Sequence, residues 1–227
     1  MPAVNFSYND FLKVLGYNLQ KEGFLEKIPL IGTEIEKVEG DEISIEVFPN
    51  RPDLVSVEGI ARASRAFFGF ETGLKKYSSE KSDIVTTVDS SVSEVRPFIA
   101  TALIKNVTMS DELIASLMDL QEKLHFGIGR NRKKVAIGIY PFEKIKTPIR
   151  YLAKKPSEIK FQPLEFSKEL TGLQILSQHP AGREYGHLLE GKELFPIFVD
   201  ADNKIMSMPP IINSNVVGKI SESTRDV

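Results

Sequence analysis

Two adjacent prolines, Pro209 and Pro210, restrict this chain more than any other feature of its sequence. They lie in the run FPIFVDADNKIMSMPPIINS, residues 195–214, and remove two backbone donors in succession, which a central β-strand does not tolerate. Upstream, Phe195 to Val199 is apolar, Asp200-Ala201-Asp202-Asn203 has turn chemistry, and Ile205-Met206 opens a second apolar run. The pattern predicts a β-hairpin whose second arm leaves its ladder, or follows an edge, at the prolines. Beyond them the chain stays apolar through Ile211-Ile212 and ends in Asn213-Ser214, whose side chains both donate and accept hydrogen bonds. Two readings fit: a covered edge strand with a capped turn, or the wall of a small pocket with polar tips.

The 227 residues suffice for one large or two modest domains, and 41% hydrophobic with 26% charged residues is a globular balance. A formal charge of −2 gives no bulk attraction to nucleic acid, so any such contact depends on local patches. The absence of cysteine excludes disulfides, thiolate zinc sites and cysteine nucleophiles, and fits a cytoplasmic location. His125, His179 and His187 lie in separate segments and make a poor zinc set, so no metal site is expected. No apolar run reaches the roughly 20 residues of a membrane span, and MPAVNFSYND lacks a signal-peptide pattern, so no membrane partner is expected.

Periodicity predicts an α+β chain: a small N-terminal α/β module with its linker at 1–84, then a larger mixed-sheet module with packed helices at 85–227. In the first, Ser7 and Asp10 have capping-box spacing before Tyr8, Phe11, Leu12 and Leu15, giving a helix that ends at Gly16. Leu19, Phe24, Leu25 and Ile28 predict a second short helix, interrupted by Gly23 and closed by Pro29. Ile35 and Val38 precede the Glu39-Gly40-Asp41 turn, after which Ile43, Ile45 and Val47 alternate as a half-buried strand with an acidic outer face. In PNRPDLVSVEGIARASRAFFGF, residues 49–70, Asn50 to Asp53 turns the chain and Ser56 or Asp53 caps a helix that stops at Gly69. Residues 73–83 read as a linker.

In the second module Val85, Thr87 and Val88 suggest a strand, and Phe98 to Val107 a longer one covered on both faces. Ser110 caps a helix with Leu113, Ile114, Leu117, Met118 and Leu124 as core positions. It leads into HFGIGRNRKK, where Arg130, Arg132, Lys133 and Lys134 concentrate charge; the spacing is no P-loop, and the loop is either simply solvated or a contact for an RNA backbone. Further strands are expected at Val135 to Tyr140 and Ile149 to Ala153, and a helix beginning after Ser167 and stopping at His179-Pro180. His179 reads as a helix-end residue meeting the last carbonyls. No Gly-x-Ser-x-Gly elbow and no marked carboxylate pair is present, so covalent catalysis has no motif.

Six segments resemble, in order, the β subunit of phenylalanyl-tRNA synthetase of the archaeal and eukaryotic cytosolic type. They are SYNDFLKVLG, EKIPLIGTEIE and NRPDLVSVEGIARA, then FGIGRNRKKVAIGIY, HPAGREYGHLLEG and DADNKIMSMPPIINS. The resemblance implies that 85–227 is an editing module that hydrolyses mischarged Tyr-tRNA(Phe). It implies an α subunit as partner, in a heterotetramer of two α and two β, together with tRNA(Phe). It implies ATP and Mg for the complete synthetase and no cofactor in this fragment. The family pattern continues past the position of Val227, with a strand leading to a Thr-Gly-Thr-Asp segment of the editing pocket, so that module is expected to be cut short at its C-terminal end. Pro141 departs from the family, which usually has a polar residue there.

Editing follows from the substrates. An apolar pocket made for phenylalanine disfavours a ligand that adds a hydroxyl only about 100-fold, whereas a site that offers the phenol hydrogen bonds rejects phenylalanine by about 10⁴ to 10⁵. Such a site needs an aromatic-sized slot with a few polar groups. Residues 195–214 supply Phe198, Met206 and Pro209 as walls, Asn213 and Ser214 as hydrogen-bonding candidates, and Ser207 as the catalytic candidate that positions the ester. The resemblance places Phe198 and Ser207 in the family's pocket, although archaeal relatives often have an aliphatic residue where Phe198 stands. Arg130, Arg132, Lys133 and Lys134 are the tRNA-binding candidates. The alternatives are a structural module that orients tRNA without hydrolysing it, and an amino-acid or nucleotide-binding module sharing the fold.

Overall fold

A computed structural model describes residues 2–227. The chain divides into two compact units, Met1–Ser79 with Ser116–Asn131, and Glu80–Ala115 with Arg132–Val227.

The first unit is built on a three-stranded antiparallel sheet of β1 (Ala3–Ser7), β2 (Thr33–Glu39) and β3 (Glu42–Val47), in the order β1-β3-β2. β1 is short, but Val4 and Phe6 alternate with Asn5 and Ser7 in the period of two of a half-buried strand, and it pairs with β3 from Ala3↔Glu46 to Ser7↔Glu42. Ser7 then caps α1 (Tyr8–Leu15), its hydroxyl accepting from the Asp10 amide at 3.3 Å, and Gly16 ends the helix at φ 75°, the left-handed conformation that glycine adopts without penalty. α2 (Lys21–Lys27) runs through Gly23 without interruption. A glycine inside a helix costs about 1 kcal/mol against alanine, and complete burial of Phe24 beside it offsets that cost. The α-helix ends at Lys27, before Pro29 as expected, and the chain continues as a 3₁₀ helix over Ile28–Ile31 with Pro29 in its first turn, where a missing N–H leaves no bond unmade. Ser56, not Asp53, caps α3 (Val57–Phe67), accepting from the Gly59 amide at 3.1 Å. Phe11, Phe24, Ile43, Ile45, Leu54 and Ile60 form the core between helices and sheet.

The residues of α4 (Asp111–Phe126) are divided between the two units. Met118 is 56% exposed rather than a core position. The side chains packed on the first unit's core are Leu120 and Leu124, and Met118 is two residues from Leu120, a separation that turns it to another face of the helix.

The second unit holds a mixed five-stranded sheet of β4 (Thr86–Val88), β5 (Ile149–Lys154), β8 (Phe195–Val199), β9 (Ile205–Met208) and β10 (Ile212–Asn213), in the order β10-β9-β8-β5-β4. β4 runs parallel to β5 and the other pairs are antiparallel. A two-stranded ladder of β6 (Lys160–Phe161) and β7 (Leu170–Thr171) precedes α5 (Gly172–Gln178) and α6 (Pro180–Tyr185). The hairpin is present as expected: β8 is buried at all five positions, β9 stops at Met208 directly before the prolines, and the chain folds back as β10.

Three local expectations fail. Phe98 to Val107 is not a strand, and Phe98 is 91% exposed. Its backbone meets the C-terminal residues, with Ile104 and Val227 exchanging bonds of 2.7 and 2.9 Å, and an apolar run without ladder neighbours along its length is not fixed as a strand. Val135 to Tyr140 is likewise irregular, with Val135 and Ile137 exposed. The helix after Ser167 begins later, because Thr171 and Gln174 make a full capping box and Leu170 is taken by β7. His179 is a helix-end residue as expected, its amide donating to the Ile175 carbonyl at 3.1 Å at the close of α5, but its ring serves α6 and not the last carbonyls of α5: Nδ1 accepts from the Ala181 amide at 3.1 Å and Nε2 faces the Leu164 carbonyl at 3.0 Å.

Candidate active site around Ser207

The β8/β9 register places Phe198 opposite Ser207. Ser207 is 1% exposed, Met206 2% and Phe198 8%, so a hydroxyl is set into an apolar surround. Its partner comes from the irregular segment: Tyr140 Oη lies 2.7 Å from Ser207 Oγ. The Tyr140 ring is tilted against Phe198 at a centroid distance of 6.3 Å, and Phe198 stacks on Tyr151 at 4.7 Å. Burial pushes the Tyr140 phenol up to about 12, against the opposing effect of its bond to Ser207. Burial also pushes Tyr151 up to about 12, and its hydroxyl donates to the Arg96 carbonyl at 2.7 Å. The site is thus a buried aromatic cluster with a hydrogen-bonding serine at its end.

The polar tips of the hairpin face inward. Asn213 Nδ2 donates to the carbonyls of Ile139 at 3.3 Å and Gly218 at 3.4 Å, fastening the Tyr140 segment to the sheet. The Ser214 amide donates to the Met206 carbonyl at 2.8 Å, and its hydroxyl accepts from the Val216 amide at 3.1 Å. Pro209 is half-buried at the turn, and the Pro209–Pro210 peptide is cis.

The basic loop separates into two kinds of residue. Arg132 turns its guanidinium inward: Nη1 donates to the carbonyls of Pro210 at 3.3 Å and Ile211 at 3.1 Å, and the group lies 3.9 Å over the Tyr185 ring. Arg96 Nη2 in turn donates to the Arg132 carbonyl at 2.9 Å. Arg130, Lys133 and Lys134 are exposed. Arg130, Asn131 and Arg132 all have positive φ, at 49°, 53° and 63°, and this tight left-handed turn separates the outward side chains from the inward one.

Among the described residues no three metal-ligating side chains converge, and no helix is long and apolar enough to cross a membrane. A concavity of about 550 Å³ in the first unit, lined by Arg62, Arg65, Glu71 and Lys75 among others, contains none of the expected site residues; Glu71 faces Arg65 at 3.7 Å and Lys75 at 3.6 Å.

The chain is 44% identical over 227 residues to the phenylalanine–tRNA ligase beta subunit of Archaeoglobus fulgidus, spanning all of this chain and 41% of that protein. It is 42% identical, with the same coverage, to the subunit of the same name from Methanosarcina barkeri. Its fold matches the crystal structure of an N-terminal fragment of the phenylalanyl-tRNA synthetase beta-subunit from Pyrococcus horikoshii, with a TM-score of 0.92 and 35% identity over 99% of this chain and 66% of that one. The chain belongs to the phenylalanine–tRNA ligase β-subunit family. It corresponds to the N-terminal region of that subunit, and spans 41% of the length of the curated relatives. No family model matches it. Within this family region, sequence reasoning missed Tyr140, Tyr151 and Arg96 as parts of the site. The signal for Tyr140 is the Gly138-Ile139-Tyr140 ending of the segment that starts at the basic loop.

Proposed function

We propose that the second unit is the editing module of a phenylalanine–tRNA ligase β subunit, hydrolysing Tyr-tRNA(Phe) through a slot centred on Ser207. The observation that carries this reading is the Tyr140–Ser207 contact: a phenol hydroxyl is already bonded to this serine, at 2.7 Å, beside Phe198 and Met206. A slot that satisfies a phenol leaves bound phenylalanine with an unpaired buried hydroxyl opposite it, which is the discrimination an editing site requires.

Hydrolysis needs no covalent enzyme intermediate. An ordered water attacks the ester carbonyl, the bond from that carbon to the 3′-terminal ribose oxygen breaks, and the water's proton passes to the departing ribose oxygen. Ser207 was expected to position the ester; its burial against a phenol supports a role in reading the tyrosyl hydroxyl. Phe198, Met206 and Pro209 wall the slot, while Asn213 and Ser214 hold the wall in place through their internal bonds. Arg130, Lys133 and Lys134 meet tRNA phosphates from the exposed side of their loop, with Arg132 supporting the wall behind it. The complete enzyme, on this reading, is cytoplasmic, pairs two such β subunits with two α subunits, and uses ATP and Mg outside this chain.

The test is deacylation of Tyr-tRNA(Phe) and Phe-tRNA(Phe) by the complete synthetase carrying Ser207→Ala. Loss of one neutral hydrogen bond, about 1 kcal/mol net, is expected to lower the tyrosine-over-phenylalanine preference by about fivefold or more. An unchanged preference removes Ser207 from recognition. The near-complete burial of Ser207 and Met206 favours a second reading, a tRNA-orienting module without hydrolysis. Salt-dependent tRNA binding with no deacylation by wild-type enzyme would establish that reading instead.

A further inference from the structure

Resting on the editing reading, we propose that Tyr140 is a resident stand-in for the substrate's phenol: it fills the slot itself and is displaced when a para-substituted phenol enters. The Tyr140 hydroxyl bonds to Ser207 at 2.7 Å and its ring packs with Phe198 and the Tyr151, Met206 and Val217 cluster, the contacts an incoming tyrosyl group would need. One side chain and one ligand of the same shape and polarity therefore compete for one set of partners. A core tyrosine and a site tyrosine differ in how firmly the rest of the residue is held. Here the residue as a whole is only half-buried although its hydroxyl is desolvated.

The backbone around it permits an exchange. Residues 135–140 belong to no strand. The segment is anchored upstream by Arg96, which donates to the carbonyls of Arg132 and Lys133, and downstream by the Phe142 amide, which donates to Asp226 O at 2.8 Å. Between those anchors the Asn213 bond to Ile139, at 3.3 Å, is long for its type. The Tyr140 side chain folds back over Gly138 so closely that a Cβ built there lies 2.5 Å from Oη and 2.8 Å from two ring carbons. A methyl group at 138 thus requires the Tyr140 ring to shift from this pose. Swinging Tyr140 outward relieves that contact and leaves Ser207 facing an aromatic-sized space.

The test uses p-cresol and toluene as probes of the intact chain, with affinities from NMR titration and folding checked by thermal unfolding. Tyr140→Ala empties the slot directly; Gly138→Ala keeps the tyrosine and expels it from its pose, and its backbone conformation is one alanine adopts. Both variants are expected to bind p-cresol at least tenfold more tightly than wild type, and to prefer it to toluene. The preference should vanish in the Tyr140→Ala/Ser207→Ala double variant. A folded Tyr140→Ala or Gly138→Ala chain that binds p-cresol no better than wild type, or p-cresol and toluene alike, overturns the proposal. Deacylation of Tyr-tRNA(Phe) by the complete synthetase is measured in parallel: selective phenol binding without hydrolysis sustains the stand-in role and removes only the editing reading.

Discussion

Arg132→Ala separates a charge that meets RNA from a charge that holds the protein together. The guanidinium gives a donor to two buried carbonyls, at 3.3 Å on Pro210 and 3.1 Å on Ile211, and packs 3.9 Å over Tyr185. A hydrogen bond from a charged donor is worth about 1.5–3 kcal/mol, and a cation–π contact of this partly buried kind about 0.5–2 kcal/mol. The two carbonyls share one nitrogen, so we count one bond, and the sum is about 3 kcal/mol. For a chain of 227 residues that is a fall in melting temperature of about 6–12 °C. Lys133→Ala, an exposed neighbour, is expected to melt within about 2 °C of wild type. Arg132→Lys keeps the charge and loses the planar stack, so it should fall between the two. Thermal unfolding by circular dichroism, with tRNA affinity measured by filter binding, decides the matter. The reasoning fails if Arg132→Ala melts like wild type while tRNA affinity drops.

Three further outcomes follow from individual contacts. Lys133→Ala and Lys134→Ala are expected to weaken tRNA binding and to reduce the salt-dependence slope by about 0.7–0.9 each, as lost phosphate contacts do; an unchanged slope in either places that lysine outside the interface. Gly182→Ala should cost about 1–3 kcal/mol in urea unfolding, because its Cβ would lie 1.9 Å from the Ile175 carbonyl oxygen and force α5 and α6 apart; an unchanged midpoint would contradict that close approach. Burial raises the Tyr140 phenol from 10.0 to about 12, which favours the neutral form in the folded state. That stabilisation is full below pH 10 and is lost as pH rises towards 12, by at most about 3 kcal/mol, so Tyr140→Phe should flatten the decline of urea midpoints across this window.

What the sequence made legible was local chemistry. Ser7, Ser56 and Gly16 act within three or four residues of themselves, and each does in the structure what its spacing predicted, with Ser56 chosen over Asp53 by one amide bond. The hairpin was legible for the same reason: turn residues at 200–203 and apolar arms on either side specify it without help from elsewhere. Strands at 98–107 and 135–140 were misread because an apolar run reports burial preference, whereas a strand is defined by a neighbour's backbone. Arg132 shows the same limit in charge. Its sequence neighbourhood counts four cations, but direction is set by the left-handed turn at 130–132 and by carbonyls almost 80 residues away.

The Arg132 contacts alter the meaning of the proline pair itself. Pro209 and Pro210 determine that β9 must stop, and that much is forced by the missing donors. They leave the following carbonyls without strand partners of their own, and a wall made of such backbone needs donors brought in from another segment. Arg132 supplies one to the carbonyls at 210 and 211, while Asn213 reaches out to the carbonyl of Ile139. The segment that connects these two contacts, 132–140, also carries Tyr140 to Ser207. Wall and slot occupant are therefore tied at both ends of one stretch of chain. A change at Arg132 should reach phenol binding as well as stability: in a Tyr140→Ala background, adding Arg132→Lys is expected to weaken p-cresol binding severalfold at a temperature where the chain remains folded. Equal affinity with and without Arg132→Lys would show that the wall keeps its shape unaided, and that the guanidinium contributes to stability alone.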